Sequence, residues 1–174
     1  HPENTHGVWI LDFLGNLSGM AYQYRVHFEH HTQVTRDPYS IATTADGMRS
    51  AILSRADRQF DWGTINGADA TPWRLDNPCQ AVLYEMHLRD LPKSPTSGVD
   101  ESLRGTYLGA CQEGTVNSHG DVTAFDYIRQ LGVNVVQLQP ISDRFKQYDE
   151  EGRVTYNWGY DVQNYSAPET SFST

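Results

Sequence analysis

Apolar and polar side chains alternate along the first third of the chain. Between residues 20 and 28 the large side chains recur at every second position: Tyr22, Tyr24, Val26 and Phe28. Because successive side chains of a strand point to opposite faces, this period predicts an antiparallel strand with one buried face. Turn-forming residues on both sides keep the predicted strands short. We therefore expect residues 1–56 to form a small antiparallel β-sandwich.

The middle of the chain changes to strands around one amphipathic helix. Residues 81–88 (AVLYEMHL) and 133–139 (VNVVQLQ) are largely apolar on both alternating faces, which favours strands covered on both sides. Between them a helix is predicted from near Asp121, with an apolar stripe at a spacing of three: Val122, Phe125, Ile128 and Leu131. Gly132 stands where a helix-ending glycine belongs. Strand, helix and strand together predict two parallel neighbours joined by a right-handed crossover.

Three regions follow from these patterns. The β-sandwich of residues 1–56 is followed by a linker at 57–77, which is rich in turn signals and has no sustained period. Residues 78–174 form the third region, which opens with the strand–helix–strand unit. Its last part, residues 141–174, is polar and aromatic without a regular period.

The charge of the chain excludes some classes of partner. The chain has 174 residues, with 13 Lys and Arg against 22 Asp and Glu, and a formal net charge of −9. Nucleic acids and anionic membrane surfaces require clustered cations, so we expect neither as a partner. The longest nearly apolar stretch, residues 133–138, is far shorter than the ~20 residues of a membrane-spanning helix.

The cysteines and histidines give no signal for a cofactor. Cys79 and Cys111 match no zinc spacing, and we expect both to be reduced and buried. His27, His30 and His31 lack an evident third ligand, so no metal site is predicted there. Reduced thiols and the missing secretion signal favour the cytoplasm over secretion, with the compartment otherwise open.

Residues 156–161 (YNWGYD) carry the clearest chemical signal. Aromatic rings can stack on the apolar face of a pyranose, while amide and carboxylate groups bind its hydroxyls. The segment follows a predicted parallel strand, where the binding sites of α/β folds collect. The pattern favours a sugar site, and the alternative is a packed loop in which Asp161 caps a turn. Glu85, His87 and Arg89 of the first strand are expected to be structural hydrogen-bond partners.

Four stretches in this order resemble type I pullulanases, the debranching enzymes of glycoside hydrolase family 13. Three of them are similar to the first barrel strand of that family, the loop after it and the second strand: residues 83–90, 105–115 and 131–140. Residues 156–161 match the hexapeptide that marks the family, although Val162 stands where the family has proline. Residues 37–50 resemble the end of a family 48 carbohydrate-binding module, so the resemblance covers nearly the whole chain.

The resemblance implies both a fold and an activity. The fold is mixed: a small antiparallel β-sandwich followed by the first βαβ part of an incomplete (β/α)₈ TIM barrel, since a complete barrel takes roughly 250 residues. The activity is hydrolysis of α-1,6-glucosidic bonds in pullulan and related α-glucans, with retention, by an Asp nucleophile and a Glu acid. In the family these acids lie on later strands. We therefore expect no catalytic residue in this chain, and no hydrolysis by it alone.

Substrate contact is what the resemblance carries over to this chain. Tyr160 aligns with the aromatic residue that stacks on the glucose ring where the bond breaks. Trp158 and Asn157 would shape the same pocket, and Asp161 would orient the tyrosine or touch a hydroxyl. No cofactor is expected; calcium occurs in the family, but no ligand spacing here demands it.

The expected partners are α-glucans, namely pullulan, amylopectin and glycogen-type branches. The chain is expected to be a truncation product, so the open sheet edges should pair with the remainder of the same enzyme or with a second copy. Two alternatives remain: a non-catalytic α-glucan-binding protein, and an interaction module that evolved from the enzyme.

Overall fold

The computed structural model describes residues 3–5, 7–58 and 75–174. Most of the predicted linker, residues 59–74, lies outside the described residues. The chain folds as a small mixed α/β structure built from short, two-stranded sheets. None of the helices in this described part is long and apolar enough to cross a membrane.

Three small antiparallel pairs form the amino-terminal third. The first joins β1 and β2, the second joins β3 and β6, and the third joins β4 and β5. Their bounds are β1 (Glu3–Thr5), β2 (Val8–Ile10), β3 (Ala21–Tyr22), β4 (Tyr24–His27), β5 (Thr32–Thr35) and β6 (Ser50–Ala51). The single strand predicted over residues 20–28 is interrupted at Gln23, and its two halves pair with different partners.

The apolar face predicted to be buried in this region is exposed. The side chains of Tyr24, Val26 and Phe28 are 48%, 39% and 54% exposed. A two-stranded ribbon has too little surface to bury its own apolar face and needs a covering layer. Among the described residues each pair stands as its own two-stranded sheet. The prediction of a half-buried strand is therefore wrong, and the short sheets do not show the packed face of a sandwich.

The predicted parallel pair is present. Strand β7 (Leu83–Met86) lies parallel to β8 (Val135–Leu138), with Leu83 opposite Val135 and Met86 opposite Leu138. Two single-turn helices, α1 (Asp90–Lys93) and α2 (Tyr107–Ala110), follow β7, and α3 (Ala124–Gln130) precedes β8.

The helix α3 largely follows its prediction. It begins later than expected, so that Val122 lies before it and forms a β-bridge with Val116. Ile128 of the predicted apolar stripe is buried, whereas Leu131 is 43% exposed. Gly132 has φ +73°, which confirms its role at the helix end.

The prediction that both parallel strands are covered is wrong. Leu83, Val136 and Leu138 are 52%, 45% and 37% exposed. The helix between the strands has only seven residues and buries Ala124 and Ile128, which is too little surface to cover two sheet faces. The apolar side chains of these strands therefore form surfaces that are available for packing but are not buried within this chain.

An antiparallel pair occupies the region predicted to lack a regular period. Strand β9 (Ser142–Arg144) pairs with β10 (Val162–Pro168), and the register shifts twice along the pair. A 3₁₀ turn at Thr170–Phe172 follows, and its Phe172 is 1% exposed. Phe172 packs with Leu88 and Ala110, and with the half-buried Tyr107 and Ile141, to form the hydrophobic core.

Charged residues are buried beside this core. Lys146 Nζ lies 2.9 Å from Asp143 Oδ1 and 3.4 Å from Glu169 Oε1. The guanidinium of Arg144 lies 4.0 Å from Glu169 Oε2 and 4.9 Å from the centre of the Phe172 ring. Burial on this scale is tolerated only when charges are paired, and here two cations face two anions.

The same network joins the amino-terminal third to β10. Asn164 Nδ2 donates to Asp143 Oδ2 at 2.5 Å and to the carbonyl of Gly47 at 3.3 Å. The Thr170 hydroxyl donates to the carbonyl of Ala45 at 3.0 Å. The two bonds to the carbonyls of Gly47 and Ala45 connect residues more than a hundred positions apart in sequence.

Both cysteines are free, as predicted, but neither is buried. Cys79 and Cys111 are exposed. Cys79 lies in the 3₁₀ turn Pro78–Gln80, and Cys111 is the residue that caps α2. Both stand in surface turns between elements, where no packed layer covers the thiol.

Candidate functional site

A shallow groove of about 340 Å³ lies at the carboxyl ends of β7 and β8. Two of its walls come from the strand ends and the turn after β7, and the third comes from the segment 156–158. The residues that shape it are Glu85, Met86, His87, Asp90, Gln139, Tyr156 and Trp158. The carboxyl ends of parallel strands are where α/β folds collect their ligands. The groove is therefore the candidate site.

The segment 156–161 is held by its own side chains. Asn157 Oδ1 accepts from the Gly159 N–H at 2.7 Å, and Asn157 Nδ2 donates to Asp161 Oδ2 at 2.9 Å. Gly159 has φ +95°, and an added Cβ would lie 2.3 Å from the carbonyl oxygen of Pro140. Only glycine fits this close approach, so the segment is held against Pro140, the second residue after β8.

The four predicted site residues separate into two groups. Trp158 lines the groove and is 61% exposed, and Tyr160 is 63% exposed but is not one of the lining residues. Asn157 and Asp161 bind each other, which is the turn-closing role considered for Asp161 from the sequence. The structure therefore brings Trp158 into the groove and gives the two polar residues an internal partner. Their contact with a substrate stays a prediction.

Tyr156 and Asp90 are functional candidates that sequence reasoning missed. The Tyr156 hydroxyl donates to Asp90 Oδ2 at 2.5 Å across 66 positions of sequence. The Arg89 guanidinium carbon lies 5.5 Å from the centre of the Tyr156 ring, and the His87 ring lies 5.6 Å from it. Tyr156 belongs to the hexapeptide, but no local pattern indicates its distant partner.

His87 forms the buried floor of the groove. It is 8% exposed, and its Nδ1 lies 3.5 Å from Asp90 Oδ1. Burial lowers the pKa of His87, and the nearby Asp90 only partly opposes this. The hydrogen bond from the hydroxyl to Asp90 raises the pKa of Tyr156. The groove therefore presents a neutral imidazole and a protonated phenol at neutral pH.

The prediction that Glu85, His87 and Arg89 are structural hydrogen-bond partners is not met: among the described residues the His87 ring nitrogens have no such partner, and His87 and Arg89 make ring and charge contacts instead. Arg89 lies 4.0 Å from Asp90 and covers the Tyr156 ring. His87 packs against the rings of Tyr156 and Phe172. Glu85, by contrast, is an exposed residue on the wall of the groove.

Metal chemistry finds no support in the described part of the chain, which holds no group of three or more His, Cys, Asp or Glu side chains able to bind an ion. A second cavity of about 520 Å³ lies beside α3. Its charged residues are already paired, since Asp126 accepts from the Gly114 N–H and lies 3.3 Å from Arg129. The charged side chains of this cavity therefore already have partners.

Comparison with known proteins confirms the resemblance drawn from the sequence. No family model matches the chain. It is 33% identical over 169 residues to the pullulanase of Bacillus subtilis (strain 168), covering 97% of this chain and 22% of that protein. It is 28% identical to chloroplastic isoamylase 1 of rice (Oryza sativa subsp. japonica), covering 98% of this chain and 22% of that one.

Solved structures of pullulanases from other organisms match the chain as well. The apo pullulanase of Paenibacillus barengoltzii superposes with a TM-score of 0.86 at 36% identity, over 99% of this chain and 26% of that one. The pullulanase of Anoxybacillus sp. LM18-11 complexed with maltotriose gives 0.83 at 30% identity, over 97% and 23%. The chain spans between 13% and 27% of the length of the relatives it matches.

Proposed function

We propose that this chain, whose homologues are pullulanases and isoamylases, forms one wall of the substrate groove of an enzyme that hydrolyses α-1,6 bonds in α-glucans. The observation that carries the proposal is the exposed indole of Trp158 beside the groove, at the carboxyl ends of two parallel strands. Binding sites of parallel α/β folds lie at this end. The pullulanase of Anoxybacillus sp. LM18-11 is known in complex with maltotriose and with maltotetraose, which supports a glucan as the ligand.

We infer further that β7, α3 and β8 are the first βαβ unit of a (β/α)₈ barrel, and that residues 1–56 are carbohydrate-binding-module-like. The parallel pairing of β7 with β8 supports the first inference. Its exposed apolar faces are surfaces that neighbouring strands and helices of a barrel would cover. The natural partner of those faces is then the remainder of the same enzyme. A second copy of the chain is the competing occupant.

Substrate contact is assigned to the aromatic segment. The Trp158 indole would stack on the apolar face of a glucose ring in the groove. Tyr160, which is 63% exposed, would offer a second ring beyond the groove edge. Asn157 and Asp161 would act on the sugar through the loop conformation that their mutual bond fixes.

Hydrolysis by the 174-residue polypeptide alone is not expected. A retaining glycosidase needs a nucleophilic carboxylate and a carboxylic acid about 5–5.5 Å apart on either side of the bond. Of the groove carboxylates, Asp90 is engaged by the Tyr156 hydroxyl, and Glu85 is exposed to solvent.

Two measurements test the proposal on the 174-residue polypeptide. Reducing-sugar release from pullulan should be absent, and maltotriose should change the tryptophan fluorescence. Trp158→Ala should abolish the fluorescence response, whereas Tyr148→Ala, which removes an exposed ring outside the groove, should leave it intact. Equal responses in both variants would refute the groove assignment. Measurable sugar release would refute the claim that the acids are missing here.

A further inference from the structure

We infer that Asp90 is a positioning residue, which holds Tyr156 and through it fixes the segment 156–158 at the groove. The contacts that carry this inference do not involve a ligand. The identity of what the groove binds rests on the proposed function, but the positioning does not.

The carboxylate of Asp90 is the centre of the turn that follows β7. One oxygen, Oδ2, accepts the Tyr156 hydroxyl at 2.5 Å. The other, Oδ1, lies 3.5 Å from His87 Nδ1 and 4.0 Å from Arg89 Nη1. A hydrogen bond to an ionised acceptor is shorter and stronger than one between neutral groups. The turn therefore offers Tyr156 a strong and oriented acceptor.

The same turn also grips the ring of Tyr156. The guanidinium of Arg89 lies 5.5 Å from the ring centre, within the range of a cation–π contact. The ring of His87 lies 5.6 Å away at a tilted angle, within the spacing of interacting aromatic pairs. The hydroxyl and the ring face of Tyr156 are thus both held by three polar residues of one turn, at positions 87, 89 and 90.

Trp158 lies between two anchors. Tyr156 is fixed to Asp90 on one side, and Gly159 fits against the Pro140 carbonyl on the other. The indole itself is 61% exposed, so its position depends on the backbone that carries it. Removing the first anchor should free residues 156–158 while the second anchor and the parallel strands stay in place.

This role differs from ordinary packing. Tyr156 is 50% exposed, and the side chain of Asp90 is 47% exposed, so their bond buries little apolar surface. A residue that served the core would change the stability of the whole chain when it is replaced. A positioning residue changes the segment 156–158 selectively.

The test measures backbone hydrogen exchange of the 174-residue polypeptide without ligand. Tyr156→Phe removes the donor and should accelerate exchange in residues 156–160, read at the Gly159 N–H that bonds Asn157, by about tenfold, the factor expected for one lost hydrogen bond to a charged acceptor. Asp90→Asn keeps an amide oxygen that still accepts and removes only the charge, so it should accelerate the same exchange by a smaller factor. The double variant should match Tyr156→Phe, because both changes act on the same bond. Exchange in Leu83–Met86 and the melting temperature should stay at their original values.

Asp37→Asn is the matched control, since Asp37 accepts the hydroxyl of Tyr22 at 2.6 Å in the amino-terminal third. It should leave exchange in 156–160 unchanged. A spectroscopic arm follows the Tyr156 ring carbon that bears the hydroxyl, whose resonance should move in Asp90→Asn. An unchanged resonance, unchanged exchange in 156–160, additive single variants, or an equal rise along the whole chain would each overturn the inference.

Maltotriose added to the same samples separates this inference from the proposed function. If Asp90→Asn accelerates exchange in residues 156–160 but maltotriose leaves the tryptophan fluorescence unchanged, the positioning role of Asp90 is supported and the glucan site is refuted. If maltotriose binds and Asp90→Asn leaves the exchange unchanged, the positioning role is refuted and the glucan site is supported.

Discussion

Gly159→Ala tests how the aromatic segment is seated on the end of β8. Gly159 has φ +95°, and an alanine Cβ would lie 2.3 Å from the Pro140 carbonyl oxygen and 3.3 Å from its carbonyl carbon. The obstacle is backbone rather than a flexible side chain, so it cannot move aside. Gly152 is the matched control, because its φ is +76° and nothing lies within 4 Å of an added Cβ.

Both substitutions place alanine at a positive φ, but only Gly159→Ala also creates a steric clash. Positive φ costs an L-residue roughly 1–2 kcal/mol, and this applies to both positions. Overpacking adds about 1–3 kcal/mol at position 159 only. We therefore expect Gly152→Ala to lower the free energy of unfolding by about 1–2 kcal/mol and Gly159→Ala to lower it by about 2–5 kcal/mol.

Urea denaturation of both variants measures this difference, which appears as a shift of the unfolding midpoint while the dependence of the free energy on urea stays the same. The segment has one way to avoid the clash, which is to detach from Pro140. Detachment would limit the loss of stability but accelerate hydrogen exchange in residues 156–160. If Gly159→Ala matched Gly152→Ala in both stability and exchange, the close approach to Pro140 would not be what seats the segment.

Lys146→Met should destabilise the fold by about 3–5 kcal/mol, because it leaves the buried Asp143 without its cation and leaves Glu169 with Arg144 alone, at 4.0 Å. Thermal melts against the exposed control Lys93→Met measure this loss. Burial raises the pKa of Glu169, but the N–H donors and Lys146 outweigh this effect and hold the pKa below its ordinary value of 4.5. The stability of the fold should therefore fall as the pH drops below 4.5. Thermal melts across this pH range check the prediction, and a flat profile would contradict it. Asn134→Ala should cost about 1–2 kcal/mol in urea melts, since its amide bonds two backbone groups just before β7; no loss would contradict it.

The local signals in the sequence were sufficient to predict the parallel strand pair and the helix between its strands. Gly132 ends α3 at positive φ, as predicted, and β7 and β8 lie parallel in one register. Period and helix-ending glycine are properties of a few neighbouring residues. The sequence contains them whether or not the rest of the fold is known.

Burial could not be predicted from those same patterns. Val26 alternates with polar neighbours as a half-buried strand should, yet it is 39% exposed, and Leu83 is 52% exposed. Alternation says which side chains share a face, but it does not say whether another layer covers that face. The exposure of Cys79 and Cys111 has the same origin, since a turn position is decided by the fold around it.

The sequence predicted where the candidate site lies, but not which distant residues hold it in place. The hexapeptide indicated Trp158, which lines the groove, while its neighbour Tyr156 depends on Asp90 at a separation of 66 residues. A contact of this length leaves no local period in the sequence. Only the parallel pairing of β7 and β8 brings the turn after β7 to the segment after β9.

The residues that line the groove are connected through further contacts to the buried charged residues beside the core. The guanidinium of Arg144 lies 4.9 Å from the ring of Phe172, which contacts His87 at 5.9 Å between ring centres, and His87 contacts Tyr156 at 5.6 Å. Arg144 itself stands in the network that Asn164 ties to the amino-terminal third. A continuous series of contacts therefore joins the first third of the chain to the aromatic wall. The links at Arg144 and His87 are ring and charge contacts without hydrogen bonds, so this series supports the exposed rings of the groove by packing and not as a fully bonded network.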